Sequence, residues 1–480
     1  MSTMQGKPEP EAAAAESCAA AAARIHAENI AAGDTGRVPP RPEGAEYMGG
    51  FCAPPLEVVR VAVIGLGAAR GMPQTKLFAL IPHCEVVAVC DVYEDATQEM
   101  ADYLEAHTGK RPAVYYGSAE AYLRMLDEAA PDAVFVNTPW ETHADTAIAV
   151  MEHGAHAFVE VPLAVTLEDL WRVVDAAERT RKHCMMLENV NYGREELMFL
   201  HMVRRGLIGE LLYGEAAYLH DLRYQMKEAE RGCGAWRTYH LAARNGCLYP
   251  THGLGPVAQY MNIARTEDMF ERLVAFCTPA LGRAAYVAKH LPAEHRWSRL
   301  QFSCGDMCNV LIQTKLGRTI HVQWDETSPA PYDRKNLIRG TEGTLAGYPL
   351  RVAGEKISPE PSAEGAADVP HGEGWRVWYT GPEAEAELYA RYEHPLFKRM
   401  AAAIEQHKVS HGGMNLIMLS RVIECLHRGE PLDQNVYEGA LWSAVGPLSE
   451  KSVHEGGAPQ RFPDFTRGGW KTTAPLPIVD

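Results

Sequence analysis

Tyr249-Pro250-Thr251-His252 sets a phenol and an imidazole three residues apart at a turn that enters a helical pattern, with the Arg237 guanidinium just upstream. A phenol and an imidazole can each take or give a proton, and at that spacing both can face one cavity. The N-terminus of the following helix adds positive potential where an oxyanion develops. Arg237 is expected to lower the pKa of a neighbouring tyrosine and to hold an enolate. Such a Tyr/His pair also occurs by chance in long chains, and an isolated arginine is more often a surface ion-pair residue. The chemistry therefore depends on the elements that position these groups.

Those elements begin with a nucleotide site. Val59–Ile64 is β-branched and apolar, and Gly65-Leu66-Gly67-Ala68-Ala69-Arg70-Gly71 follows it and opens a helical stretch to about Leu80. Glycines there allow a tight turn and close approach of backbone to a pyrophosphate at the helix N-terminus. A second buried strand, Glu85–Cys90, ends at Asp91, 20 residues beyond Gly71. A carboxylate at that place accepts hydrogen bonds from both ribose hydroxyls and repels a 2′-phosphate, so the pattern predicts NAD rather than NADP. Arg70, beside the loop, is the one residue that could tolerate a phosphate.

Ala133–Val136, Ala157–Val159 and His183–Leu187 repeat the short apolar strand, with helical patterns at His143–Glu152 and Leu167–Thr180 between them. Buried strands alternating with amphipathic helices predict a doubly wound parallel sheet. Beyond Glu188 the candidate strands Leu212–Tyr218, Met307–Thr314 and Thr319–Trp324 alternate apolar and polar residues, which predicts an antiparallel sheet with one covered face. Residues 353–385, rich in Gly, Pro and Glu, read as a surface excursion, and helical patterns near 393–407, 415–428 and 435–450 finish the chain. The expected organisation is an α/β protein with an N-terminal arm (1–56, with a helix near Ala12–Ala32), a Rossmann domain (57–187) and a C-terminal substrate domain (188–480).

At 480 residues with 46% hydrophobic and 22% charged content, the chain is an ordinary globular protein of more than one domain. Its net charge of −16, without a Lys/Arg run, argues against a nucleic-acid partner. No apolar run is long enough to span a bilayer, and the first fifty residues lack a basic n-region and an apolar h-region. The sequence thus predicts a cytoplasmic protein, with export of a longer precursor left open. Eleven scattered cysteines with no CxxC pair predict reduced thiols and no structural metal.

Asn137-Thr138-Pro139-Trp140-Glu141-Thr142-His143 and Glu160-Val161-Pro162, together with the glycine loop, resemble the Gfo/Idh/MocA oxidoreductases. Most dehydrogenases of that group carry Glu-Lys-Pro at the second motif, and Val161 cannot transfer a proton in place of the lysine. A narrower resemblance is to glycoside hydrolase family 109, the NAD-dependent α-N-acetylgalactosaminidases. It rests on Glu188-Asn189-Val190, Tyr192-Gly193-Arg194, Tyr218 through Arg223, Trp236-Arg237-Thr238, Asn245 through Pro256, Pro331-Tyr332, His411 through Met414 and Pro447 through Ser452. It covers about residues 58–470. Two residues depart from the family pattern, Cys247 and Asn415.

The resemblance implies a Rossmann domain followed by an α/β domain with a mostly antiparallel sheet. It implies that NAD⁺ oxidises C3 of the sugar, that the acidified C2 proton is removed and the C1 substituent eliminated, and that water addition and re-reduction restore cofactor and configuration. Tyr218, Tyr249 and His252 would carry the protons. Tyr218, Arg237, Tyr249, Tyr332 and Glu188 would bind substrate. Asn137, Trp140, His143, Glu160, Val161 and Asn189 would join Gly65, Gly67, Ala69, Arg70, Gly71 and Asp91 around a tightly held NAD. The substrate would be a glycan or glycoside, and association into a homo-oligomer is plausible by analogy. Competing readings are the same mechanism on another glycoside, a net NAD-dependent sugar dehydrogenase, and a non-catalytic NAD-binding protein.

Overall fold

The computed structural model describes residues 10–358 and 377–479, with side chains from residue 17 onward. Six parallel strands form the first sheet: β1 (Val59–Ile64), β2 (Cys84–Cys90), β3 (Ala113–Tyr115), β4 (Ala133–Val136), β5 (His156–Val159) and β6 (Cys184–Met186). Their spatial order is β3-β2-β1-β4-β5-β6, the doubly wound order that leaves a crevice at the carboxyl ends of β1 and β4. Val61, Ala62, Val63, Val134 and Val136 are all fully buried, as expected for strands covered on both faces. The helix Leu167–Thr180 starts where its sequence says it should. Thr166 Oγ1 accepts from the Asp169 N–H at 3.1 Å, which satisfies one of the free donors of the first turn.

The second sheet has nine strands: β7 (Leu211–Leu219), β8 (Phe270–Cys277), β9 (Met307–Thr314), β10 (Thr319–Asp325), β11 (Leu337–Gly340), β12 (Gly343–Ala346), β13 (Arg351–Gly354), β14 (Tyr379–Thr380) and β15 (Gln460–Arg461). The order is β14-β13-β12-β11-β7-β10-β9-β8-β15. All pairings are antiparallel except β7 with β10, so the sheet is mixed but mostly antiparallel. The pattern of alternation marks β9 cleanly: Cys308, Val310, Ile312 and Thr314 are buried, whereas Leu311 is exposed.

The helix Thr251–Tyr260 lies on β7, and glycine makes that possible. A Cβ on Gly253 would stand 2.2 Å from the Ala217 amide nitrogen, so no side chain fits there. Because the helix sits directly on the strand, His252 comes against Tyr218. The same block that carries the chemistry in sequence thus also fixes how closely two elements pack.

Some expectations need correction. The helix Glu94–Thr108, strand β3 and helix Ala121–Ala129 between β2 and β4 gave no signal strong enough to name. Of the excursion at 353–385, residues 359–376 lie outside the described residues, but β14 and the helix Pro382–Tyr392 are regular structure. The last helical pattern is two helices, Val436–Ser443 and Val445–His454, broken at Ala444. The N-terminal helix runs Pro10–Ala31, close to the expected span, and is tied to the body: Asn29 Nδ2 donates to Glu450 Oε1 (2.9 Å) and His26 Nδ1 lies 2.8 Å from Glu450 Oε2. No helix of the described residues is long and apolar enough to cross a membrane.

Candidate active site

The glycine loop is built by close contacts. A Cβ on Gly71 would meet the Gly65 carbonyl oxygen at 2.1 Å, and one on Gly65 would meet the Asn137 carbonyl oxygen at 2.5 Å. Beside Gly67 there is open space, the cradle a pyrophosphate needs. Ala69 is exposed in the turn that follows. Asp91 braces the loop, accepting from the Leu66 N–H (2.6 Å) and the Tyr93 N–H (3.0 Å). Further along the crevice, neither amide atom of Asn137 has a partner among the described residues, and the Asn189 side-chain oxygen has none. Buried polar atoms are almost always satisfied, so these point to a polar ligand. The residues present therefore fit a dinucleotide.

Three predicted cofactor residues are committed to contacts within the protein. His143 is fully buried with Nδ1 2.7 Å from the Pro162 oxygen and Nε2 2.8 Å from the Thr138 oxygen, so it ties the two loops together. Glu160 Oε1 accepts from Gln74 Nε2 (2.5 Å) and lies 3.4 Å from Arg70 Nε. Arg70 lies within electrostatic reach of the Tyr249 and Tyr218 phenols, and Glu160 with these groups raises its pKa against the opposing effect of burial. Val161 is buried and supplies no polar group.

At the mouth of this crevice the Tyr/His/Arg cluster assembles from separate elements. The Tyr218 ring centroid is 5.3 Å from that of Tyr249 and 5.0 Å from that of His252, and Tyr249 to His252 is 4.9 Å. Trp140, from the loop after β4, stacks on Tyr249 at 5.9 Å. Arg237, on the helix Cys233–Ala243, places its guanidinium 5.2 Å from the Tyr249 ring centre and 5.0 Å from that of Trp140. It is held from behind by Glu326, 3.7 Å away and buried. Tyr332 is the exposed member at 37%; its ring is 5.9 Å from that of Tyr218, and its oxygen accepts from Arg334 Nη1 at 2.9 Å.

The electrostatics sort these groups. Burial pushes the Glu188 carboxyl up, but the His252 imidazole, 2.7 Å away, and the hydrogen bonds made to the carboxylate more than offset this, and its pKa is lowered. Burial raises the Tyr249 phenol. Arg70 and then Arg237 pull it back, yet the phenol stays above its ordinary value. Arg237 thus lowers the Tyr249 pKa as expected, but desolvation outweighs it. Tyr218, also buried, is pushed well above its ordinary value, further raised by Tyr249, Glu326 and Tyr332.

The two departures from the family pattern have distinct places. Asn415 Oδ1 accepts from Asn189 Nδ2 at 2.7 Å, so it sets the orientation of a predicted cofactor residue. Cys247 is fully buried, and its backbone N–H donates to Ser449 Oγ at 2.8 Å.

The family description "Glycosyl hydrolase 109, C-terminal domain" matches residues 192–472, and "Oxidoreductase family, NAD-binding Rossmann fold" matches residues 59–188. The chain belongs to glycosyl hydrolase family 109. This family 109 protein is 58% identical over 442 residues to "Glycosyl hydrolase family 109 protein 1" of Akkermansia muciniphila, covering 92% of this chain and 89% of the relative. It is 48% identical over 442 residues to the "Alpha-N-acetylgalactosaminidase" of Shewanella oneidensis, covering 92% of each. Its fold is shared by a levoglucosan dehydrogenase solved with NADH and levoglucosan, at 18% identity and a TM-score of 0.59, covering 85% of this chain and 99% of that one. The family 109 chain is thus a glycoside hydrolase built on an NAD-binding oxidoreductase fold.

Sequence reasoning missed several residues that shape the site. Glu326 and Arg334 hold Arg237 and Tyr332, and His240 Nε2 lies 3.0 Å from Glu141 Oε2 beside Trp140. A charged residue directly after β10, and a Tyr-x-Arg spacing, are weak signals that gain meaning only from the packing.

Proposed function

We propose that this enzyme releases terminal α-linked N-acetylgalactosamine from glycans or glycosides with retention of configuration, using a tightly held and recycled NAD. The observation that carries the reading is the convergence of Tyr218, Tyr249 and His252, with ring centroids 4.9–5.3 Å apart, at the crevice where position 161 offers no lysine. In the proposed division of the chain, residues 57–187 hold the cofactor and 188–480 the sugar. The glycine loop from Gly65 to Gly71 and Asp91 hold the dinucleotide, and Asn137 and Asn189 offer their unpartnered amide atoms to it. Bound NAD⁺ supplies a transient oxidation at C3 of the sugar and its reversal, which makes the C2 proton acidic.

The chain's own groups then do proton work. Tyr249, between the Arg70 and Arg237 guanidiniums, sits in the positive field that an enolate oxygen requires. His252 keeps Nε2 toward the aromatic cluster because Nδ1 is committed to Glu188, the arrangement that fixes an imidazole for acid–base transfer. Trp140, Trp236 and Tyr249 surround Arg237 with apolar surface and limit water beside it, which strengthens its charge.

The test is NMR of p-nitrophenyl α-N-acetylgalactosaminide with the purified enzyme in D₂O and no added cofactor. The expected result is nitrophenol release with deuterium at sugar C2 and retained anomeric configuration. Release with protium at C2 overturns the mechanism, and NADH accumulation with an oxidised sugar makes the protein a dehydrogenase.

A further inference from the structure

Three phenols face the candidate site, and their polar neighbours differ in kind. Tyr249 lies in the field of the Arg70 and Arg237 guanidiniums, and the Tyr332 oxygen accepts from Arg334 Nη1 at 2.9 Å. A guanidinium donates only and cannot take a proton from either phenol. Tyr218 is bonded to His220, with its oxygen 2.9 Å from His220 Nδ1. An imidazole nitrogen is a proton acceptor. Tyr218 is 8% exposed and shut in by its neighbours, whereas His220 is only partly buried and rests edge-on against Tyr332, itself 37% exposed. The pair therefore links the floor of the site to its mouth.

We propose that Tyr218 and His220 are the proton relay that removes and returns the sugar C2 proton. His220, which lies within the Tyr218–Arg223 motif but was given no role there, becomes a catalytic partner. As the Tyr218 oxygen takes the C2 proton, the phenolic O–H bond breaks and its proton passes to His220 Nδ1. The electron pair of the C2–H bond goes into the enolate. The imidazolium so formed exchanges its protons with water, and the reverse transfer re-protonates C2 from the same face. The inference rests on the C2-deprotonation reading above.

Without His220 the relay has no means of working. Among the described residues, His220 is the imidazole in hydrogen-bond contact with the Tyr218 phenol. The imidazole of His252 also packs against Tyr218, but it meets it ring to ring and has Nδ1 2.7 Å from Glu188 Oε1. The groups that face His220 are Tyr218, Tyr332, Glu326, Asp221, His252 and Arg237, and His411 lies within electrostatic reach of it. Burial, with the Arg237 guanidinium, holds the imidazole below its ordinary pKa against the Glu326 and Asp221 carboxylates, which favours the free base able to accept.

The experiment compares wild type with His220→Ala and His220→Gln, each first checked for retained NAD absorbance and an unchanged Tm. On p-nitrophenyl α-N-acetylgalactosaminide in D₂O, both variants are expected to lose about 10²- to 10⁴-fold in kcat and in C2 deuterium exchange, with KM moved little. Imidazole added to His220→Ala should restore part of the rate. Glutamine can accept the Tyr218 hydrogen bond but cannot carry a proton, so a His220→Gln enzyme of wild-type rate reduces His220 to positioning and overturns the relay. Wild-type turnover without C2 exchange would sink the C2-deprotonation reading itself, whatever the variants do. A substrate-independent arm uses ¹⁵N-histidine NMR. The relay requires His220 as the Nε2–H tautomer with Nδ1 accepting, lost on Tyr218→Phe, and an Nδ1–H tautomer overturns it.

Discussion

The cofactor crevice and the proton-transfer wall meet at Trp140 and Tyr249, yet they are built by different means. In the crevice the backbone acts: Gly65 and Gly71 allow contacts that a Cβ would forbid, and the Leu66 and Tyr93 amides hold Asp91. On the wall, side chains act, and they come from β7, the helices Cys233–Ala243 and Thr251–Tyr260, and the segments after β6 and β10. The crevice is a local construction that tolerates little change of backbone. The wall is a convergence whose members can be altered singly. Binding and chemistry should therefore be separable by mutation.

The sharpest separation is expected at Tyr249→Phe or His252→Ala. Each should lower kcat by about 10²- to 10⁴-fold, the usual worth of a positioned acid–base group, while NAD stays bound. Single-turnover kinetics with the cofactor absorbance recorded alongside will show whether the wall can fail alone. Next is Gly253→Ala, which forces the helix off β7 by placing a methyl 2.2 Å from Ala217 N. The strain should cost about 1–3 kcal/mol and lower both Tm and activity, since His252 moves with the helix. Equal Tm values would mean that the wall is softer than its packing implies.

Asp91→Ala tests the other side. It removes a charge-assisted bond to the Leu66 amide worth about 1.5–3 kcal/mol, and NAD should be lost on gel filtration and regained only with excess cofactor. Turnover at saturating NAD should then stay near wild type. A collapse of kcat at saturation would show that the two regions are not separable.

The smallest effect concerns pH and lies behind the wall. Burial, then the neighbouring Glu196 carboxylate, push Glu195 up to about 8, so it is largely a neutral acid at pH 7, accepting from Asn336 Nδ2 at 2.8 Å. A raised carboxyl pKa contributes stability that is complete below the unfolded value near 4.3 and is lost as pH rises through 8. Glu195→Gln should therefore leave Tm unchanged near pH 4 and raise it by an amount that grows toward pH 8. Glu196 is the residue that holds Arg334 (2.6 Å), and through it Tyr332, so activity should stay unchanged in this variant.

Legibility in the sequence followed the same division. The strand, glycine loop, helix and Asp91 could be read because the physics that joins them acts over thirty residues of continuous chain. β1, β4, the helix His143–Glu152 and the helix Leu167–Thr180 fall where hydrophobic patterning puts them. β3 and β11 to β15 were not legible, being two to four residues long, too short for alternation of apolar and polar residues to register. Among the wall residues, Arg70 shows the limit most plainly. Its place in the loop suggests the ribose, but its side chain follows the charge of Glu160 and the Tyr249 phenol.

What the sequence determined by itself is the set of groups, the two sheets and the absence of a lysine at position 161. Composition and periodicity are local properties, and they survive without knowing what lies opposite. Only the tertiary structure decided which phenol has a partner able to take its proton. That depends on distances of about 3 Å between atoms on different elements, and on burial, which raised the Tyr249 phenol even with two arginines beside it. Desolvation is a property of everything that surrounds a group, and no stretch of sequence contains it.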